Sequence, residues 1–164
     1  MVTALRAIPD RTLRDCPETT SLRIDPAVDG GDGLPHILLA QHHPEVRAVW
    51  GHTLQIHGFD VVCCRNRLEL ACQLRLQGQR HVDKKLDLVI CDAELLDEPL
   101  RIRWEQLQQS DRPPRLVIIL RRGGAAARQT LRAWKPQAVS DQPYNATCEL
   151  TTIHRLLKRK RYRR

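Results

Sequence analysis

The sequence contains no long apolar segment. Its unbroken apolar runs reach only about half a dozen residues, whereas a helix that crosses a bilayer needs about 20. The N-terminus also lacks the apolar stretch of a secretory signal. We therefore expect a soluble cytoplasmic protein without a membrane span.

The residue patterns of metal sites and nucleophilic enzymes are missing as well. None of the six cysteines forms a CxxC pair, the spacing most typical of zinc sites and thiol redox motifs. The cysteines within apolar stretches are predicted to be buried, reduced thiols: Cys63, Cys64, Cys72 and Cys91. The histidines that share no spacing are predicted to be exposed: His52, His57, His81 and His154. No pair of a nucleophile and a base emerges, so we do not expect an enzyme.

Acidic residues are missing from the end of the chain. Between Arg155 and Arg164 there are seven basic residues and no acidic one, which leaves 20 basic and 19 acidic residues in the rest. The formal net charge of +8 therefore comes almost entirely from this end, and residues 160–164 form a basic C-terminal tail. Such a tail can bind nucleic acid or an anionic surface through unspecific phosphate contacts, although a run of charges is usually only solvated.

The first 34 residues have no sustained helical or strand period. They contain Pro9, Pro17 and Pro26 and end in the glycine-rich sequence 29–33, which predicts a flexible N-terminal extension over 1–34. The 164 residues of the chain are too few for two ordinary domains. We therefore expect a single domain that covers residues 35–159.

From His36 onward, short apolar runs alternate with amphipathic stretches, a pattern typical of β-α units around a parallel sheet. Strands are predicted at 37–40, 60–64, 86–91, 115–120 and 137–139. Helices are predicted at 44–57, 67–77, 99–109 and 125–134, with a last helix from 145 or 147. The inward face of the first helix is predicted to consist of Val46, Val49, Trp50, Thr53 and Leu54. In the second helix, the inward residues are either Leu68, Ala71 and Leu74 or Leu70 and Cys72.

Asp92 directly follows the apolar run 86–91. A carboxylate at the carboxyl end of a buried parallel strand lies at the edge where open α/β sheets bind their ligands. Asp92 is therefore the principal candidate for a functional residue.

Four motifs occur in order along the chain. They are an apolar strand with a polar triplet and Pro at 37–44, Gly and Phe at 58–59, the strand that ends in Asp92, and Gln-Pro-Tyr at 142–144. In order and spacing, the region 36–159 resembles the receiver domain of bacterial two-component response regulators. The resemblance implies an α/β fold of the flavodoxin-like (βα)5 type. This is a doubly wound parallel sheet of order 2-1-3-4-5, with two helices on one face and three on the other.

The resemblance also implies which residues would carry the family's chemistry. Receiver domains accept a phosphoryl group on an Asp at the position of Asp92, and they hold magnesium with two acids at the positions of Gln41 and His42. Their switch hydroxyl corresponds to Arg121 and their phosphate-pairing Lys to Gln142. Mg²⁺ prefers oxygen ligands, and phosphoryl transfer needs positive charge near the transferred oxygens. We therefore expect a degenerate pocket, weak or absent magnesium binding, no other cofactor and no stable phosphate on Asp92.

Replacement partners are predicted for the carboxylate. Arg121 or Arg122 is expected to form an ion pair with Asp92 that imitates metal plus Lys and holds one permanent conformation. His42 and His43 beside Asp92 would provide too few ligands for zinc, so no metal site is predicted. Trp134 and Tyr144 are predicted to form a protein contact patch on the surface that the family uses for dimerisation and effector contacts.

The favoured interpretation is an atypical signalling domain of the pseudo-receiver type. It would act by contact with a histidine kinase, a downstream effector or a second copy of itself. One alternative is a competent receiver that a histidine kinase phosphorylates at Asp92. Another alternative is binding of nucleic acid or an anionic surface through the basic tail.

Overall fold

The computed structural model of the protein describes residues 33–78, 84–121, 125–141 and 146–161. Apart from its last two residues, the extension predicted for 1–34 lies outside this part of the chain. Further predictions that fall outside it concern His81, Arg122, Gln142, Tyr144 and the end of the basic tail at 162–164. Within the described ranges, no helix is both long and apolar enough to span a membrane.

Five strands form one parallel sheet. They are β1 (His36–Ala40), β2 (Asp60–Cys64), β3 (Leu88–Asp92), β4 (Arg115–Leu120) and β5 (Ala138–Asp141). The strand order is β2-β1-β3-β4-β5, and all neighbouring pairs are parallel. The predicted doubly wound α/β fold and its strand order are thus confirmed. β3 begins two residues later than predicted and includes Asp92 as its last residue.

A helix follows each strand. These helices are α1 (Pro44–Ile56), α2 (Arg67–Gln77), α3 (Glu98–Gln108), α4 (Ala125–Leu131) and α5 (Ala146–Arg161). Short 3₁₀ turns follow β3 at Ala93–Leu95 and α4 at Arg132–Trp134. The side chains of Asn66 and Asp97 accept hydrogen bonds from the first turns of α2 and α3 and fix where these helices begin. Gly58 takes a φ of 80° in the turn after α1, as a glycine at a helix exit can.

The sheet has an apolar layer on each face. Leu54 of α1 and Ile153 of α5 pack on one face. Leu70 of α2, Trp104 of α3 and Leu131 of α4 pack on the other. All five residues of β3 are buried, as expected for a central parallel strand that is covered on both sides.

The predicted inward faces of the helices need correction. Val49 is 66% exposed, whereas Trp50 and Leu54 are buried. The buried stripe of α1 is therefore narrower than its apolar pattern suggests. In α2, Leu70 and Leu74 are buried and Leu68 is 75% exposed, so the structure combines parts of the two predicted alternatives.

The predicted burial of the cysteines is only partly correct. The described cysteines are all free thiols, with Cys64 and Cys91 buried, Cys72 half-buried and Cys63 exposed. Cys63 lies near the end of β2, an edge strand of the sheet, where one side of the strand has no neighbouring strand to cover it.

Substitution of Leu54 and Val49 tests the corrected face of α1. We expect Leu54→Ala to lower the free energy of unfolding by about 2–5 kcal/mol, because it leaves a cavity in the core. Val49→Ala on the same helix should change it by less than about 0.5 kcal/mol, as is usual at an exposed position. Urea unfolding of both variants measures the difference, and comparable losses would contradict the observed orientation of α1.

Candidate functional site

Asp92 ends β3 with a completely buried side chain. Its exposed fraction is 0%, and its Oδ1 accepts a hydrogen bond from the backbone N–H of Glu94 at 3.2 Å. This contact caps the turn Ala93–Leu95. The other oxygen, Oδ2, also needs a partner, because a buried carboxylate without compensation is costly.

His42 provides that partner. The register pairs Ala40 of β1 with Cys91 of β3, so the residues that follow both strands meet at the same edge of the sheet. Nδ1 of His42 lies 2.9 Å from Oδ2 of Asp92, and the His42 side chain is 30% exposed. The two atoms are at ion-pair distance, although they do not form an aligned hydrogen bond. We define the pair by this distance. A small rotation of the His42 ring would change the hydrogen-bond angle but would leave Asp92 as the neighbour of Nδ1.

The outer side of the imidazole faces two groups of opposite charge. Nε2 of His42 lies 3.3 Å from Oε2 of Glu94 and 3.3 Å from a terminal guanidinium nitrogen of Arg121. A neutral ring with its proton on Nδ1 accepts from Arg121 through Nε2, whereas a doubly protonated ring donates to Glu94. In both forms an N–H group faces Asp92, and positive charge lies on the ring or directly behind it.

The prediction was that Arg121 or Arg122 pairs with Asp92, and this arrangement corrects it for Arg121. Among the ion pairs of the described residues, the partner of Asp92 is His42, and Arg121 contacts the far side of the same ring. The register explains the difference. Asp92 pairs with Ile119 of β4, so Arg121 lies two residues beyond the carboxylate. Ala40 of β1 pairs with Cys91, so His42 lies only one residue beyond it.

Arg47 holds the loop that carries His42. Its guanidinium donates to the backbone oxygens of Gln41 at 2.8 Å and His42 at 3.3 Å, and the backbone N–H of Gln41 donates to the carbonyl oxygen of Cys64 at 3.0 Å. The sequence analysis missed both Arg47 and Glu94. Glu94 lies only two residues after Asp92 in the sequence, which could have indicated that it belongs to the site. Nothing in the spacing of Arg47 distinguishes it from other helical arginines.

Cys91 lies directly beneath the site. Burial, together with the negative charge of the Asp92 carboxylate and the nearby Cys64, raises the pKa of Cys91 well above its ordinary value. Its Sγ lies 3.3 Å from the carbonyl oxygen of Asp92, to which the thiol donates. Cys91 is therefore an unreactive thiol and not a nucleophile, since the thiolate is the reactive form.

The residues at this edge do not fit a magnesium ion. Mg²⁺ needs an octahedron of oxygen ligands, but Oδ2 of Asp92 faces a ring nitrogen with a guanidinium behind it. The side-chain oxygen of Gln41 accepts from the backbone N–H of His43 at 3.1 Å. Nor does the described part of the chain contain three His, Cys, Asp or Glu side chains arranged around a common metal position.

The other predicted site residues do not join this cluster. Trp134 is only 7% exposed and packs in the core, where Nε1 of Trp104 donates to its carbonyl oxygen at 3.2 Å. It is therefore unavailable for the predicted contact patch. Gln142, Arg122 and Tyr144 lie outside the described residues.

Comparison with known proteins identifies the fold. No family model matches the sequence, and no curated protein matches it. The chain is similar to the CheY-like response regulator receiver domain protein of Methanospirillum hungatei, with a TM-score of 0.64 and 14% identity over 79% of this chain and 98% of that one. It is also similar to a response regulator receiver protein of Sinorhizobium medicae, with a TM-score of 0.60 and 17% identity over 76% and 95% of the two chains. A response regulator of Thermotoga maritima matches with a TM-score of 0.60 and 14% identity over 76% and 98%. The chain therefore has the fold of receiver domains.

A double-mutant cycle tests the contact between His42 and Asp92. We expect His42→Ala to lower the free energy of unfolding by about 1–3 kcal/mol, because it leaves a buried carboxylate oxygen without its partner. When Asp92→Asn has already removed the charge, the same substitution should cost at least about 1 kcal/mol less.

Urea unfolding at neutral pH measures this coupling, and His52→Ala, which removes an exposed histidine of α1, is the matched control. An equal cost of His42→Ala in both backgrounds would mean that the two side chains do not interact.

Proposed function

We propose that this protein is an atypical receiver domain that signals by protein contact and in which His42 replaces the metal ion beside Asp92. The observation that carries the proposal is the 2.9 Å contact between Nδ1 of His42 and the buried Oδ2 of Asp92. The fold and the position of Asp92 at the end of β3 support the receiver part of the proposal. The groups around Asp92 support the absence of phosphoryl chemistry.

The charge around Asp92 argues against transfer of a phosphoryl group. Catalysis of such transfers depends on positioning and on cations that stabilise the charge of the transferred oxygens. At this site, one carboxylate oxygen is used by the N–H of Glu94 and the other is covered by His42. The attacking oxygen is thus not free, and the residues do not fit the ion that would hold the phosphoryl group.

A fixed pair at Asp92 has a consequence for signalling. Phosphorylation switches a protein by adding charge that rearranges nearby groups. His42 already lies against the carboxylate, with the guanidinium of Arg121 behind its ring, so the domain holds one state at this edge. Its output then depends on whether a partner protein recognises the surface in that state. The partners are signalling proteins, either a histidine kinase or a downstream effector.

The second candidate function is a competent phosphoacceptor, and the position of Asp92 favours it. Incubation with acetyl phosphate and Mg²⁺, followed by measurement of the intact mass, separates the two functions. We expect the wild-type protein to gain no phosphoryl group. The variant Gln41→Asp/His42→Asp/Gln142→Lys restores the acids and the Lys of receiver domains, and it should gain one.

Addition of Asp92→Asn to the restored variant is the control and should abolish the gain in mass. If the wild-type protein were phosphorylated, and if Asp92→Asn removed this phosphate, the competent phosphoacceptor would be the correct function.

A further inference from the structure

The outer face of α5 carries basic side chains. Ile153 and Leu156 on the inner face are buried against the sheet, with Leu150 and Leu157 packed beside them. The residues of the outer face are spaced by three or four positions, which places them on one side of the helix. They line an open hollow of about 570 Å³ and are here called the cationic face: Thr151, His154, Arg155 and Lys158.

The charge of the cationic face is not balanced by acidic side chains. No ion pair found within the described ranges includes Arg155 or Lys158. Glu149 lies in the first turn of α5. Its side chain is turned toward β5, where it accepts a hydrogen bond from Ser140. Both Arg155 and Lys158 are exposed and accessible to a partner.

His154 lies close to other basic side chains. Burial, together with the positive charges of His57 and Lys158, lowers the pKa of His154 below its ordinary value. The ring of His154 is held against Phe59, with 5.1 Å between the ring centroids. The end of α1 therefore contributes a further basic side chain, His57, to the surroundings of the cationic face.

The cationic face lies away from the candidate site. The guanidinium of Arg115, the first residue of β4, donates to the backbone oxygen of Leu156, so the second half of α5 lies beside the amino ends of the strands. Asp92 lies at the carboxyl end of β3 and therefore at the opposite end of the strands. Binding at the cationic face can thus occur independently of the state of Asp92.

We infer that the cationic face of α5 binds the phosphate backbone of nucleic acid without sequence specificity. Lys and Arg side chains bind phosphates by charge and release counterions, which gives affinity without reading bases. The sequence adds five more basic residues after Lys158 and no acidic one, so the net charge of the chain is concentrated where the cationic face ends. A membrane is the less suitable partner, because a helix that binds a bilayer inserts its apolar face, and that face of α5 is buried in the core.

Binding of the full chain to a fluorescent DNA duplex of arbitrary sequence tests this inference by anisotropy. We expect binding at ~50 mM salt that weakens steeply as salt is added. Arg155→Gln/Lys158→Gln should weaken it about tenfold and make the slope of log K against log salt shallower by about 1.8, which corresponds to two phosphate contacts. Because both residues are exposed, the variant should fold normally, which circular dichroism verifies.

Arg103→Gln/Arg132→Gln is the matched control. It removes the same charge from two exposed arginines on the other face of the sheet, Arg103 within α3 and Arg132 in the turn after α4, and it should change the affinity less than twofold. An equal loss in both variants would mean that only net charge matters and would overturn the inference. Absence of binding at ~50 mM salt, or tighter binding to phosphatidylserine vesicles or polyglutamate than to DNA, would overturn it as well.

Discussion

A carboxylate that is shielded from water needs compensating charge or hydrogen bonds, and the arrangement around Asp92 follows from this constraint. The backbone N–H of Glu94 donates a hydrogen bond to one oxygen of Asp92, and Nδ1 of His42 lies 2.9 Å from the other. Arg121 contacts the far side of the His42 ring, and Arg47 holds the backbone from which the ring extends. These side chains come from the ends of different strands and from the first turn of α1, so the sheet must form before they can meet.

The scaffold does not depend on this chemistry. The two apolar layers of the core contain none of the charged groups at the site. The strand order is that of receiver domains, although the side chains at the carboxyl ends of the strands differ. A fold can therefore persist while the side chains at its functional edge change, which is why function has to be argued from the site. In this chain His42 contacts the carboxylate of Asp92, and the proposed function rests on that contact.

The fold could be predicted from the sequence because short apolar runs alternate with helical patterns in a regular order. The bounds of β2, α2 and β4 agree with the prediction. An apolar pattern in a helix fixes the position of the buried face only to within about one residue. For this reason Val49, next to the buried Trp50, was predicted to be buried although it is exposed. Trp134 was predicted in a contact patch because aromatic residues are enriched at protein interfaces, whereas it ends the turn Arg132–Trp134 and packs in the core. The sequence placed His42 beside Asp92 but favoured Arg121 or Arg122 as the partner of Asp92, because spacing along the chain does not reveal which side chain reaches a buried oxygen first.

The central claim is that His42 stands where a receiver domain would hold its metal ion. Titration of the isotopically labelled protein with Mg²⁺, followed through the backbone amide resonances of Asp92 and Glu94, tests it most directly. We predict no saturable shift of these resonances in the wild-type protein at millimolar Mg²⁺. A saturable shift confined to the residues around Asp92 would show that the carboxylate binds the ion despite His42 and would contradict the account.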